Sequence, residues 1–176
     1  MREALNRLFQ AVRLDREAFV WMDLNDRATA DGLIFVAVTR VLILLGSGWR
    51  ILGLTTTISG LEVLVTAILN ALVFWLAYSA IVFAVTKFLL DGSGQYAVYL
   101  RMSGFAYPTL LLLVFTRQLG ISPVAALVLG SIWFLAVVTR GVTYEGDLPT
   151  ERAALAAAAG LIGWIIISLI FNRGLI

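Results

Sequence analysis

Five apolar blocks, with nearly every Arg, Asp and Glu held in the gaps between them, run roughly over Ala28–Leu45, Leu61–Leu90, Gly104–Phe115, Pro123–Thr139 and Ala153–Phe171. Four of the blocks reach the roughly 17 to 25 residues that a helix needs to cross a hydrocarbon layer about 30 Å thick, and the third is shorter. Hydrophobic residues make up 61% of the chain, charged residues 14%, and the mean hydropathy is +0.95, which leaves a soluble domain too little polar surface. A closed barrel would alternate polar and apolar residues along each strand, whereas Thr109–Phe115 is apolar all round. Helices are the other way to satisfy a backbone in lipid. The predicted fold class is therefore all-α: an integral membrane bundle of five transmembrane helices (28–176) behind an amphipathic, interfacial leader (1–27).

The chain holds no cysteine and no histidine, which excludes thiol nucleophiles, Cys/His zinc sites, thioether haem attachment and the Ser/His pair of an intramembrane hydrolase. No cofactor or metal is implied. A formal charge of +2, with no basic run interleaved with aromatics, gives no reason to expect nucleic acid. Membrane lipids are the partner that the composition requires. Gly46-Ser47-Gly48 is a poor cleavage signal, so the first block reads as a retained anchor.

In the leader, Leu5, Leu8, Phe9 and Val12 repeat at helical spacing, and Asp15 is placed to cap a second helix carrying Ala18, Phe19 and Met22. Arg2, Arg7, Arg13, Arg16 and Arg27 are matched by Glu3, Asp15, Glu17, Asp23 and Asp26, so attraction to anionic lipid mostly cancels and the apolar stripe must do the docking. The stripe faces either the membrane or the bundle's own base.

Lys and Arg set the expected orientation. With a cytoplasmic N-terminus and five crossings, nine of the basic residues lie inside and three outside, with Arg40 embedded. Making the third block a re-entrant hairpin exchanges Arg117 and Arg173 for Arg140 and Arg152 and leaves the same tally. Arg101 and Arg117 bracket that block only about 24 Å apart as an α-helix, and Pro108 interrupts it. Five crossings are favoured because Ala97–Leu100 can extend the helix and both arginines can snorkel toward headgroups. The second block is long enough to tilt or protrude, and Asp91-Gly92-Ser93-Gly94 ends it with turn chemistry.

Arg40, inside an apolar span, is the sharpest single residue, since such residues normally have a partner. Asn70 lies at similar depth and Glu62 is within reach of a snorkelling guanidinium. Two readings stand: a ligand or lipid-headgroup contact in the bundle interior, or a structural tie between the first two helices, with snorkelling toward Trp49 as a variant of the second. Asp31 reads as interfacial. Small residues at four-residue spacing, Ala67/Ala71, Ala156/Gly160 and Ala159/Gly163, let helices approach closely, within one chain or in a homodimer. Glu145, Asp147 and Glu151 lack the dense spacing of a calcium loop and read as a solvated linker over Gly141–Thr150.

From Gly94-Gln95-Tyr96 through Arg101-Met102-Ser103-Gly104-Phe105-Ala106-Tyr107-Pro108-Thr109-Leu110-Leu111, the order of features resembles the Yip family of Ypt/Rab-interacting membrane proteins. There a glycine-rich cytosolic turn leads into a small and aromatic stretch and then a proline inside the third span. Asp15 followed by Ala18 and Phe19 is similar to the family's leader. The eukaryotic branch's Asp-Leu-Tyr-Gly-Pro motif and long N-terminal region are absent, so the chain resembles a compact bacterial-type member and the GTPase partner is not carried over. The resemblance implies five spans behind a cytosolic N-terminus in the inner membrane, with Gly104, Tyr107 and Pro108 shaping the third helix. The expected function is non-enzymatic: a membrane-organising or partner-binding component. The alternatives are a small transporter or channel subunit built on Arg40 and Asn70, and a lipid-acting enzyme using Glu145, Asp147, Glu151 and Asp31.

Overall fold

The computed structural model of the protein describes residues 2–47, 60–115 and 120–174, and among them every regular element is a helix. The leader forms α1 (Arg2–Val12) and α2 (Arg16–Leu24). The spans are α3 (Ala28–Ser47), α4 (Gly60–Ala84, ending in a π-helical turn at Val85–Leu89), α5 (Tyr96–Ala106, continuing as a 3-10 helix over Tyr107–Phe115), α6 (Pro123–Glu145) and α7 (Thr150–Gly174). All five are long and apolar enough to cross a membrane. Trp49, Arg50 and Arg117 lie outside the described residues.

Local chemistry sets the helix ends. The last four carbonyls of α1 have no partner within the helix. Leu14, in the left-handed region at φ 63°, turns the chain so that the amides of Arg13, Leu14 and Asp15 bond the carbonyls of Phe9, Ala11 and Gln10. The remaining one, on Val12, accepts from the indole Nε1 of Trp133 on α6, 3.1 Å away. Asp15 caps α2 as expected, accepting from the Glu17 amide. Ser122 caps α6 and Pro123 opens it, where a missing N–H costs nothing. That helix continues to Glu145, beyond the Thr139 at which its apolar block ends, so Arg140 and Glu145 belong to a helix rather than a linker.

Counting α-helical residues undervalues the third span. Its 11 α-helical residues rise about 1.5 Å each and its 9 residues of 3-10 helix about 2.0 Å each, giving about 34 Å, enough to cross the hydrocarbon. Pro108 drives the change. It has no N–H, and its ring collides with the carbonyl four residues back in an α-helix. The Thr109 hydroxyl donates to the Ala106 carbonyl at 2.8 Å, supplying a hydrogen bond to backbone beside the break.

This span is the axis of the bundle. In the half nearer the leader, α5 packs against α3, α4 and α6 and is touched by both leader helices. Gly104 is where it crosses α3: a Cβ there would stand 2.9 Å from the Cα of Gly32 and 3.1 Å from the Trp75 indole nitrogen. Around the crossing, Trp75 donates to the Leu100 carbonyl at 2.8 Å, and the Ser79 and Ser103 hydroxyls bond each other at 2.6 Å. In the far half the 3-10 segment packs chiefly on α3 and α6. The small residues of α7 are used within the chain: a Cβ on Gly160 would meet Val82 at 2.5 Å, and one on Gly163 would meet Ile81 at 2.9 Å. Outward-facing residues such as Leu69, Val73, Leu155 and Ile162 are exposed, the reverse of a soluble surface.

Candidate functional site

Arg101 on α5 and Arg40 on α3 are treated oppositely by the structure. Arg101, on the leader-end half of α5, is 5% exposed and fully engaged. Its Nε donates to the Thr29 hydroxyl at 3.0 Å, and its Nη1 donates to the carbonyls of Met22 at 2.9 Å and Asp23 at 3.1 Å. Its Nη2 bonds Asp26 Oδ1 at 2.5 Å. The guanidinium thus takes two orphan carbonyls at the end of α2 together with the first turn of α3, and ties the leader to the bundle's axis. It does not snorkel toward headgroups as its place in the sequence implies. Its partners lie 72 to 79 residues away in the chain, and no local signal points to them.

The clamp settles which faces of the leader are bound. Ala18, Phe19 and Met22 are buried against the bundle, Phe19 stacking on Tyr144 at 5.9 Å. On α1 the inward face is Ala4 and Ala11, with Leu8 partly buried beside them. Leu5 and Phe9 on α1, and Val20 and Leu24 on α2, are exposed one helical turn apart. Trp133, which holds the end of α1, stands about 10 Å along α6 from Arg140 on the apolar side.

The far half is built differently. Because the 3-10 segment leans on α3 and α6, a cavity of about 470 Å³ opens between it, α4 and α7, with lining residues from all five spans. Arg40 reaches it from α3, Asn70 from α4, Tyr107 from the start of the 3-10 helix and Ser131 from α6; most of the remaining wall is Leu, Ile and aromatic. Toward the leader end, aromatic rings close the interior: Phe74 stacks on Tyr78 at 5.5 Å and Tyr78 meets Phe134 edge-on at 5.0 Å. Phe74 also meets Trp164 at 5.3 Å. Asn70, Leu127 and Ile165 are exposed at the mouth.

Arg40 and Asn70 are therefore brought together, as their depths imply. Glu62 is not: it stands in the first turn of α4, outside the lining. Among the described residues no hydrogen bond or ion pair joins Arg40 to either, and its Nε is buried with no hydrogen-bond partner. Removing an Arg from water inside a span costs about 3 kcal/mol on insertion scales, which makes Arg40 the candidate binding group of the cavity. Tyr107 lines the cavity, Gly104 sets the helix crossing beneath it, and Pro108 lies in the first turn of the 3-10 helix that opens it.

The acidic candidates do not form a site. Glu145 accepts from the Gln95 amide at 2.9 Å at the start of α5, and its own carbonyl accepts from Ser93 at 3.0 Å, so it fastens the 91–95 turn to α6. Asp31 lies in the first turn of α3 and Glu151 in that of α7, where the helix dipole favours a carboxylate. Among the described residues no three acidic side chains come close enough to share a metal ion.

Fold and composition together define a multi-pass helical membrane protein with a far-half cavity. Comparison of the chain with protein-family models, with curated proteins and with solved structures gives no match.

Proposed function

We propose that this is a non-enzymatic, membrane-organising component of the cell membrane, of the compact Yip-like kind, with its N-terminus in the cytoplasm. The distribution of Lys and Arg supports the orientation. The observation that carries the function is the clamp at Arg101: three hydrogen bonds hold the end of α2 and Asp26 against the spans, Trp133 holds the end of α1, and Leu5, Phe9, Val20 and Leu24 face outward. Apolar residues presented this way enter the boundary between headgroups and acyl chains of one leaflet, adding area to that leaflet alone. Their charges cancel, so the wedge acts by burial rather than by attraction to anionic lipid.

The chain has no cysteine, so single labels are clean. A nitroxide on Val20→Cys in reconstituted vesicles is expected to collide more with oxygen than with a water-soluble nickel chelate. The opposite ratio would place the leader in water and end the proposal. The cavity at Arg40 and Asn70 favours a second reading, a ligand-binding subunit of a transporter or channel. The aromatic layer of Phe74, Tyr78 and Phe134 supports a binding cavity rather than a through path. The lipid-acting enzyme is left without converging carboxylates among the described residues.

A further inference from the structure

We infer that the far-half cavity binds an amphiphile with an anionic head, its charge on Arg40 and its hydrocarbon body against the aromatic floor. The inference rests on the reading of that cavity as a ligand site, and its chemistry follows from three observations.

The first is charge. Arg40 brings a guanidinium to the cavity, its Nε is buried without a partner, and no acidic residue is in the lining. The sequence makes this a property of the whole far end. Of the acidic residues only Glu62 lies in the far half, in the first turn of α4 and outside the cavity lining. The connections 48–59 and 116–119 contribute no carboxylate at all. An incoming anion therefore meets the Arg40 charge with no carboxylate in the cavity wall, in surroundings where charge pairing is strong because water is scarce. A guanidinium also matches a carboxylate or phosphate with two parallel hydrogen bonds.

The second is polarity. Beyond Arg40, side-chain donors or acceptors come only from Asn70, Tyr107, Ser131 and the Trp164 indole N–H, and the rest of the wall is Leu, Ile, Ala and Phe. A small hydrated anion would leave most of that wall unmatched. A ligand with one polar end and an apolar body satisfies both kinds of surface.

The third is size and access. About 470 Å³ falls within the range of roughly 300 to 1,000 Å³ typical of sites for drug-sized ligands and is far larger than a single ion requires. Leu127 and Ile165, exposed at the mouth, are apolar residues of spanning helices, so a chain arriving from lipid meets hydrocarbon first. A free fatty acid and an anionic phospholipid carry the same chemistry.

Trp164 in the wall supplies the reporter. In nanodiscs of phosphatidylcholine, bromine-substituted stearate is expected to quench a saturable part of the protein's fluorescence, and Trp164→Phe to abolish that part. Arg40→Gln should weaken stearate about ten- to hundred-fold, the loss of a charge-assisted pair. Arg40→Lys should retain most of the binding, and brominated stearyl alcohol should bind no better than stearate binds to Arg40→Gln. Leu127→Tyr, which narrows the mouth without touching Arg40 or adding a tryptophan, should also remove the signal and covers the case in which Arg40→Gln fails to fold. Equal binding of acid and alcohol, unaffected by Arg40→Gln, overturns the anionic class while leaving a ligand site. No Trp164-dependent quenching by either overturns the ligand site itself. Brominated phosphatidylglycerol in the disc then distinguishes the sources: Arg40-dependent quenching by it assigns a lipid headgroup, and quenching by stearate alone assigns a free fatty acid.

Discussion

The two halves of the third span carry the same kind of apolar sequence and end in opposite structures. In the half nearer the leader the backbone is α-helical, glycine meets glycine at the crossing with α3, and a buried arginine has every nitrogen engaged. In the far half the backbone is a 3-10 helix, α4 no longer packs closely on it, and another arginine faces a cavity with an unpartnered Nε. A cation in a membrane interior is structural when the protein supplies its acceptors, and it becomes a candidate binding group when the protein withholds them. The contrast predicts that removing the two arginines shifts stability in opposite directions.

The largest effect belongs to Arg101. Arg101→Met should destabilise by about 3 kcal/mol, the sum of several bonds from a charged donor less the desolvation it had cost, and should free the leader to protease. Thermal unfolding and leader cleavage in detergent read both. An unchanged melting temperature would mean that the clamp holds nothing. Gly104→Ala comes next, at about 2 kcal/mol, because its Cβ would press on backbone at 2.9 Å. Gly32→Ala, whose Cβ would meet only ordinary contacts at 3.5 and 3.6 Å, should be nearly neutral in the same assay. Equal effects at both glycines would show that the crossing is not the constraint. Arg40→Leu should raise stability, by about 1 kcal/mol given its partial exposure to the cavity, while abolishing Arg40-dependent quenching at Trp164. A loss of stability instead would make Arg40 a tie between helices. Asp26→Asn should change least, since that carboxylate is fully exposed and the neutral amide oxygen still accepts from Arg101.

Much of this was readable along the chain. Four of the five spans follow from block length and composition, and Asp15 declared the start of α2. Arg40 and Asn70 were paired by counting residues from the helix ends, and they do share the cavity. Glu62, named for its reach to a snorkelling guanidinium, stands in the first turn of α4 outside the cavity lining, because reach along the chain says nothing of which side of a helix faces inward. The leader's bound face was only half legible: α2 docks by Ala18, Phe19 and Met22, but α1 docks by Ala4 and Ala11 with Leu8 and leaves Leu5 and Phe9 outside. Close approach of backbones matters more there than the size of the apolar residue.

What the sequence alone determined is the membrane class and four full-length apolar helices, because transfer of apolar residues and satisfaction of the backbone are nearly additive along a chain; the length of the third came from its 3-10 continuation. It also determined that negative charge is almost absent from the far half. Tertiary structure alone decided which arginine is satisfied. Hydrogen-bond acceptors are positions in space: Arg101 found its own 72 to 79 residues away, where α2 ends and α3 begins. Arg40 found none on its Nε, because the 3-10 helix over Tyr107–Phe115 leans away from α4 and leaves room beside it.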